Sequence, residues 1–201
     1  GAAPSARLEP VPFPPPPESA RFYYERTVFS TADVQGATDE DRWRQVLMGA
    51  SSQTGVRFAK PFDVAVHRGR VFVSDTVMQV VFVLDFPQQK TFLIGNKGDA
   101  GDVGKPLGIA VDGQGNLYVV DNSLKRVAVY DRDGHYRSSF GGKSVLDRPT
   151  GIDVSPDGSR AYVVDVGGVD SENHRIHVFD PRDGRLLQEI GTRGKEPGQL
   201  N

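Results

Sequence analysis

The sequence contains no cysteine, and its formal net charge is only −2. Without cysteine there is no disulfide, no thiolate metal site, no thiol nucleophile and no covalently attached c-type haem. A nearly balanced charge provides no general basic field to attract nucleic acid or an anionic membrane. No apolar run approaches the roughly 18 residues needed to cross a bilayer. These absences exclude several chemistries but do not fix the compartment.

The sequence does contain one motif that is written three times. Each copy starts with a proline-led apolar run, at Pro61, Pro106 and Pro149, and these prolines lie 45 and 43 residues apart. Further short apolar runs follow within each copy, separated by turn residues. A period in the low forties that holds four short runs is typical of the blades of a β-propeller.

We therefore predict an all-β fold with three blades of four antiparallel strands, at about residues 58–95, 106–141 and 149–191. The proline-led strand of each blade is expected to be innermost, because a missing N–H is tolerated at the start of a strand. Runs such as Leu117–Val120 are rich in β-branched and aromatic residues, which favour strands. Four Asp-Gly pairs favour tight turns between strands: Asp112-Gly113, Asp133-Gly134, Asp157-Gly158 and Asp183-Gly184.

The third copy resembles the NHL repeat. Its Asn173-His174-Arg175 segment resembles the Asn-His-Leu triplet after which that repeat is named, and the start at Pro149–Ile152 and the Val164-Asp165 pair fit the same pattern. The resemblance covers about residues 58–201 and implies half of a six-bladed propeller. It is specific for the fold alone, because NHL propellers serve as protein scaffolds or RNA binders, and related propellers are enzymes.

The first 57 residues carry three other segments. Residues 1–20 are rich in proline, which predicts a stiff extended tether or, alternatively, a ligand for proline-binding domains. Arg21–Phe29 predicts a strand that closes the propeller by pairing with a blade, or an isolated strand on its flank. Thr38–Met48 predicts a short helix that packs on the propeller or binds a partner. Three apolar residues would lie on its contact face: Trp43, Val46 and Leu47.

A first residue other than methionine, followed by such a tether, predicts export from a bacterial cell. The protein is then expected in the periplasm, on the outer surface or in the medium.

Residues that recur in every copy predict architecture rather than catalysis. Asp75, Asp121 and Asp165 end the second strand of each copy, and we expect them to accept hydrogen bonds from turn amides or from an arginine of the neighbouring blade. His174 and His177 are three residues apart on a strand, so they point to opposite faces. This spacing disfavours a metal site built on two histidines.

Residues that break the repeat are the better candidates for a ligand or partner face. Asp63 stands where the later copies have Gly108 and Gly151. The acidic loop from Gly167 to Asn173 is longer than its counterparts, and long loops on a rigid scaffold commonly carry recognition. Its candidate contacts are Asp170, Glu172 and Asn173, for which a calcium ion is an alternative.

Three cations complete this candidate face. Lys60, Lys105 and Arg148 each precede the proline of a copy, on the face that also carries the acidic loop. They predict either a site for an anionic ligand or acidic partner, or three solvated side chains.

Three blades do not close a ring, since propellers have about four to eight. We expect the flanks near Val71–Leu84 and Ala161–Ile190 to be covered by further chain, a second copy or another protein. The leading hypothesis is a non-enzymatic interaction scaffold with no cofactor, metal or catalytic residues. A metal-dependent lyase or lactonase acting through the channel is the alternative. A third hypothesis, RNA binding, is disfavoured by the balanced charge.

Overall fold

The computed structural model describes residues 11–34, 55–168, 174–192, 194 and 199. This part of the chain forms three four-stranded sheets, one two-stranded ribbon and a 3-10 helix at Thr31–Asp33. The prediction of an all-β fold is confirmed. The strands are β1 Val11–Phe13, β2 Phe22–Tyr24, β3 Pro61–His67, β4 Arg70–Asp75, β5 Val80–Asp85, β6 Lys90–Ile94, β7 Pro106–Val111, β8 Leu117–Asp121, β9 Arg126–Tyr130, β10 Tyr136–Gly141, β11 Pro149–Val154, β12 Ala161–Asp165, β13 Arg175–Asp180 and β14 Arg185–Ile190.

Each four-stranded sheet is an antiparallel meander of consecutive strands. The first blade is β3–β6, the second is β7–β10 and the third is β11–β14. The proline-led strands contact one another, β3 with β7 and β7 with β11, so they are the innermost strands, as predicted. Neither 106–168 nor 174–190 contains a helix. The prediction of four-stranded antiparallel blades is confirmed.

Stacking of the blades explains why several strands are apolar on both faces. β5 and β8 are buried along their whole length. Side chains from adjacent blades pack together at the two boundaries between blades. A strand can therefore be buried on both of its faces, which a single isolated blade does not allow. The first boundary includes Phe72, Val83, Ile109, Val119 and Ala128. The second includes Val120, Val127, Phe140, Val163 and Phe179.

The Asp-Gly pairs lie in turns between strands, as predicted. At Gly134 and Gly158 the backbone is left-handed, with φ of +81° and +68°, a conformation that costs glycine nothing. The Asp112-Gly113 turn differs, because its left-handed residue is Gly115.

The N-terminal strand pairs locally instead of with a blade. β2 pairs antiparallel with β1, and the Arg21 N–H donates to the Phe13 carbonyl at 2.9 Å. The predicted closing strand is therefore three residues long and extends none of the described blades, while the predicted tether contains β1. A nearby strand pairs at a smaller loss of chain entropy than a distant blade edge. The predicted helix at Thr38–Met48 lies outside the described residues.

The chain's own N-terminal segment covers the outer part of the first blade's free flank. Val34, which follows the 3-10 helix, packs against Val80, Phe82 and Leu84. Phe58 meets Phe82 edge to face, with ring centroids 4.9 Å apart. The flank that the sequence analysis expects to need a cover is therefore partly covered from within the chain.

Two innermost strands approach each other at a glycine. A Cβ atom on Gly108 would lie 2.7 Å from Gly151 Cα and 2.8 Å from the Thr150 carbonyl oxygen. Both obstacles are backbone atoms, so they cannot rotate away. Gly151 occupies the same repeat position on the last blade, where the nearest atom to an added Cβ is on Val164, at 3.7 Å. Gly108 is therefore required for this approach of β7 and β11.

We predict that Gly108→Ala lowers the free energy of unfolding by about 1–3 kcal/mol, because the added methyl forces β7 and β11 apart. Gly151→Ala is the matched control and is expected to change it by less than about 0.5 kcal/mol. Urea denaturation followed by circular dichroism, at a protein concentration low enough to suppress association, measures both. Equal midpoints for the two variants would contradict the close approach.

Candidate interaction surface

A buried carboxylate recurs at the end of the second strand of every blade. In the second blade, Asp121 accepts hydrogen bonds from the N–H groups of Gly104, Lys105, Ser123 and Leu124, at 2.9–3.2 Å. Asp75 and Asp165 accept equivalent bonds in the other two blades. All three carboxylates are buried. Each one ties the entry of the innermost strand to the turn between the second and third strands.

This geometry confirms the prediction that the aspartates bind turn amides. The alternative partner, the recurring arginine, bonds elsewhere: Arg126 donates to the Asp102 carbonyl at 2.8 Å, and Arg175 pairs with Glu189 at 2.9 Å. Burial by itself raises the pKa of Asp75, but the four backbone donors, from Met78, Lys60, Ala59 and Val77, outweigh burial and lower the pKa. Asp75 is therefore a structural anion.

The three predicted cations occupy equivalent places in the three blades. The backbone N–H groups of Lys60, Lys105 and Arg148 are held by the buried aspartates at 2.8–3.1 Å. Their side chains are exposed. Within the described part of the chain they make no hydrogen bond or ion pair, so their role as a binding face stays a prediction.

Asp63 has an architectural partner that sequence reasoning missed. Its Oδ2 accepts from the Ile109 N–H at 2.9 Å, and its Oδ1 accepts from the Val64 N–H at 2.8 Å. The carboxylate thus joins the innermost strands of the first two blades. The signal in the sequence was that Asp63 stands where the later copies have Gly108 and Gly151.

The acidic loop lies outside the described residues except for Gly167 and Gly168. Asp170, Glu172 and Asn173 lie outside the described residues, and their predicted contact role stays a prediction. Across 11–34, 55–168 and 174–192, no group of three or more His, Asp or Glu side chains is arranged to hold a metal ion. The same ranges contain no helix that is long and apolar enough to cross a bilayer.

The third blade exposes a face that the second blade buries. The sequence Tyr-Val-Val-Asp occurs in both, at 118–121 and at 162–165. Tyr118 and Val120 are 4% and 0% exposed, whereas Tyr162 and Val164 are 41% and 39% exposed. The alternate residue Val163 remains fully buried against the second blade. The same side chains are therefore half exposed where no described blade covers them.

The first blade shows the complementary exposure on its innermost strand. Phe62 and Val64 are 54% and 58% exposed. At the same repeat positions, Leu107 and Ile109 are 6% and 4% exposed, since the first blade covers them. We call these two apolar faces the leading flank (Phe62, Val64, Val66) and the trailing flank (Tyr162, Val164). Together they form the candidate interaction surface.

A buried histidine lies at the boundary of the second and third blades. His177 occupies the repeat position of Ala128 and Phe82, and its ring stacks on Phe179. Its Nδ1 lies 3.3 Å from Glu189 Oε1 but makes no hydrogen bond, and its Nε2 lies 3.8 Å from Asp165. Burial lowers the pKa of His177, against the opposing effect of the two carboxylates.

Solved structures of similar architecture exist at low sequence identity. Hydrazine synthase from Kuenenia stuttgartiensis superposes with a TM-score of 0.53 and 24% identity, over 72% of this chain and 38% of that one. Virginiamycin B lyase from Staphylococcus aureus gives 0.51 and 15%, over 70% and 42%. A chain of a nidogen–laminin complex gives 0.52 and 22%, over 71% and 55%. No protein-family model and no curated protein matches the chain.

These similarities show the fold: the three sheets are blades of a β-propeller. The chain spans between 38% and 55% of the length of the three solved chains.

We predict that Asp121→Ala lowers the free energy of unfolding by at least about 3 kcal/mol, because four backbone N–H groups lose their acceptor in a buried site. Asp133→Ala removes an exposed carboxylate of the same blade and is expected to cost less than about 0.5 kcal/mol. Urea denaturation compares them. A variant at position 121 that is as stable as the control would contradict the structural role.

We also predict that the stability of the folded protein depends on pH through His177. The lowered pKa of His177 means that the unfolded chain takes up this proton more readily than the folded one, so stability is expected to fall as pH drops below 6.5. The variant His177→Phe carries the residue that the first blade has at this repeat position, Phe82. Because phenylalanine does not titrate, the free energy of unfolding of this variant is expected to fall less than that of the wild type between about pH 7.5 and 5.5. An unchanged slope for His177→Phe would refute the assignment.

Proposed function

We propose that this chain is a non-enzymatic protein-interaction module that associates through its propeller flanks with a second copy of itself. The observation that carries the proposal is the exposure of Tyr162 and Val164, whose counterparts in the second blade are buried by a following blade. Exposed apolar faces of this kind mark interaction sites.

The leading flank and the trailing flank present strands whose counterparts pack against each other within the chain. Within the chain, β11 with its leading proline packs against β7 and β8 of the preceding blade. The leading flank presents β3, the corresponding proline-led strand, and the trailing flank presents β12, the counterpart of β8. Two copies related by a two-fold axis would then bring each leading flank onto the partner's trailing flank. The result is a closed ring of six blades, within the range of known propellers.

The positions of Gly108 and Gly151 also support a second copy of the chain as the partner. Gly108 is needed where β11 crosses β7, and Gly151 keeps the corresponding place on the trailing flank free of a Cβ. A proline-led strand of the second copy fits this gap.

The propeller fold itself is compatible with more than one activity. Two of the similar structures carry enzyme names, and the third is part of a complex between two proteins. The alternative of a metal-dependent lyase or lactonase has no specific observation in its favour among the described residues. Export of the protein is part of the proposal and rests on the sequence alone.

We predict that the wild-type protein sediments as a dimer at micromolar concentration and that Val164→Lys converts it to a monomer. A lysine ammonium on the trailing flank would be desolvated without a partner in the assembled ring, whereas in the free chain it stays in water. Leu124→Lys is the matched control, because Leu124 is 44% exposed against 39% for Val164 and lies in a turn away from both flanks. This control is expected to remain dimeric.

Sedimentation velocity gives the size, and circular dichroism checks that each variant is folded. A wild-type protein that is monomeric and unfolds cooperatively at the same concentration would contradict the proposal. Dissociation by Leu124→Lys and Val164→Lys alike would also contradict it.

A further inference from the structure

A small cavity lies where the first and second blades meet, at the end of β3 opposite to Lys60. Its volume is about 180 Å³, and three of the side chains on its wall are arginines: Arg68, Arg70 and Arg132. His67 adds a fourth nitrogen group, and Asp85 is the one carboxylate on the wall. We call this cavity the arginine pocket. Its volume is below that of pockets for drug-sized ligands, so it suits a small ligand.

Arg70 is a fixed part of the pocket. Its Nε and Nη2 donate to Asp85 Oδ2 at 3.0 and 2.6 Å, and its Nη1 donates to the Arg132 carbonyl. The guanidinium also lies 5.8 Å from the centre of the Phe92 ring. These contacts neutralise Arg70 with Asp85 and hold the Arg132 backbone in place across the blade boundary.

The other two arginines are not neutralised in the same way. Arg68 makes no hydrogen bond or ion pair with any described residue. Arg132 lies 4.0 Å from Asp133, but both side chains are largely exposed, at 71% and 65%, and such pairs contribute little. Within the described part of the chain, these two guanidinium groups therefore lack a close, buried carboxylate of the kind that balances Arg70.

His67 and Arg132 converge from different blades. A Cβ on Gly115 would lie 3.5 Å from Arg132 Cβ and 3.6 Å from His67 Nε2, so all three border one point. Gly115 is left-handed, with φ of +89°, and has no side chain to fill that point. A ligand at this boundary can contact both blades.

This arrangement breaks the repeat. The position of His67 is taken by Asp112 in the second blade and by Ser155 in the third. Both of those side chains accept hydrogen bonds from backbone N–H groups of their own turn. Asp112 accepts from Gln114 and Asn116, and the Ser155 hydroxyl accepts from Arg160. In the first blade the turn is shorter, and the side chain at this position is left facing the cavity.

We propose that the arginine pocket binds a phosphate group, either as inorganic phosphate or as a small phosphomonoester. The guanidinium groups of Arg68 and Arg132 match the two negative charges that a phosphate carries near neutral pH. Guanidinium also presents its N–H groups in pairs that fit phosphate oxygens. Arg68 and Arg132 are the charged contacts, His67 is a further hydrogen-bonding group, and Arg70 is the rigid wall.

Isothermal titration calorimetry of the intact protein tests this proposal, with inorganic phosphate and glycerol phosphate as probes in low-salt buffer at pH 7.5. Saturable binding of at least one probe is expected. Arg68→Gln and Arg132→Gln are each expected to weaken it by about tenfold or more, the effect of losing one charge-assisted contact. Tighter binding of glycerol phosphate than of phosphate identifies the organic ester as the source, and equal binding identifies free phosphate.

Lys143→Gln is the matched control, because it removes one exposed positive charge from the loop after β10, at the opposite end of the blades. Its affinity is expected to stay within about twofold of wild type. Amide shifts of Gly115 in NMR spectra give a readout at the pocket itself, and circular dichroism verifies the fold of each variant. The proposal is overturned if neither probe binds saturably, or if Lys143→Gln weakens binding as much as Arg68→Gln does.

Discussion

The buried aspartate at the end of each blade's second strand is the interaction on which the rest of this structure depends. Taking a carboxylate out of water is costly, and four converging backbone N–H groups, as at Asp121, compensate for that cost. Because the same carboxylate holds the entry of the innermost strand, it fixes where that strand lies relative to the other three. The proline that follows then begins the strand without needing a partner for an N–H.

Once the innermost strands are fixed in position, the presence of a neighbouring blade determines whether a given side chain is buried or exposed. The Tyr-Val-Val-Asp sequence is buried in the second blade and half exposed in the third, although its local structure is the same. An added Cβ at position 108 would lie less than 3 Å from the backbone of β11, whereas at position 151 it would make only ordinary contact with Val164, at 3.7 Å. The flanks are therefore a property of the arrangement of blades, and their apolar character makes them surfaces for another blade.

Departures from the repeat proved informative in two different ways. Asp63 interrupts a glycine position, and its carboxylate bridges two blades. His67 interrupts an oxygen-bearing position, and its ring borders the arginine pocket. Sequence comparison between the copies identified Asp63, but a single residue type does not reveal whether its partner is a backbone amide or a ligand. The arginine pocket was missed because Arg132 comes from another blade, 64 positions beyond Arg68.

The sequence by itself determined the all-β class, the number of blades, the innermost place of the proline-led strands and the structural use of the recurring aspartates. All of these follow from short-range patterns that occur three times, so each copy confirms the others. Tertiary structure alone decided the pairing of β2 with β1, the cover that Val34 gives to the first blade, and the meeting of His67 with Arg132. Each of these features occurs only once, so no periodicity in the sequence records it. Tertiary structure also decided which faces of the blades are exposed, because the exposure of a side chain depends on the blade next to it and not on its residue type.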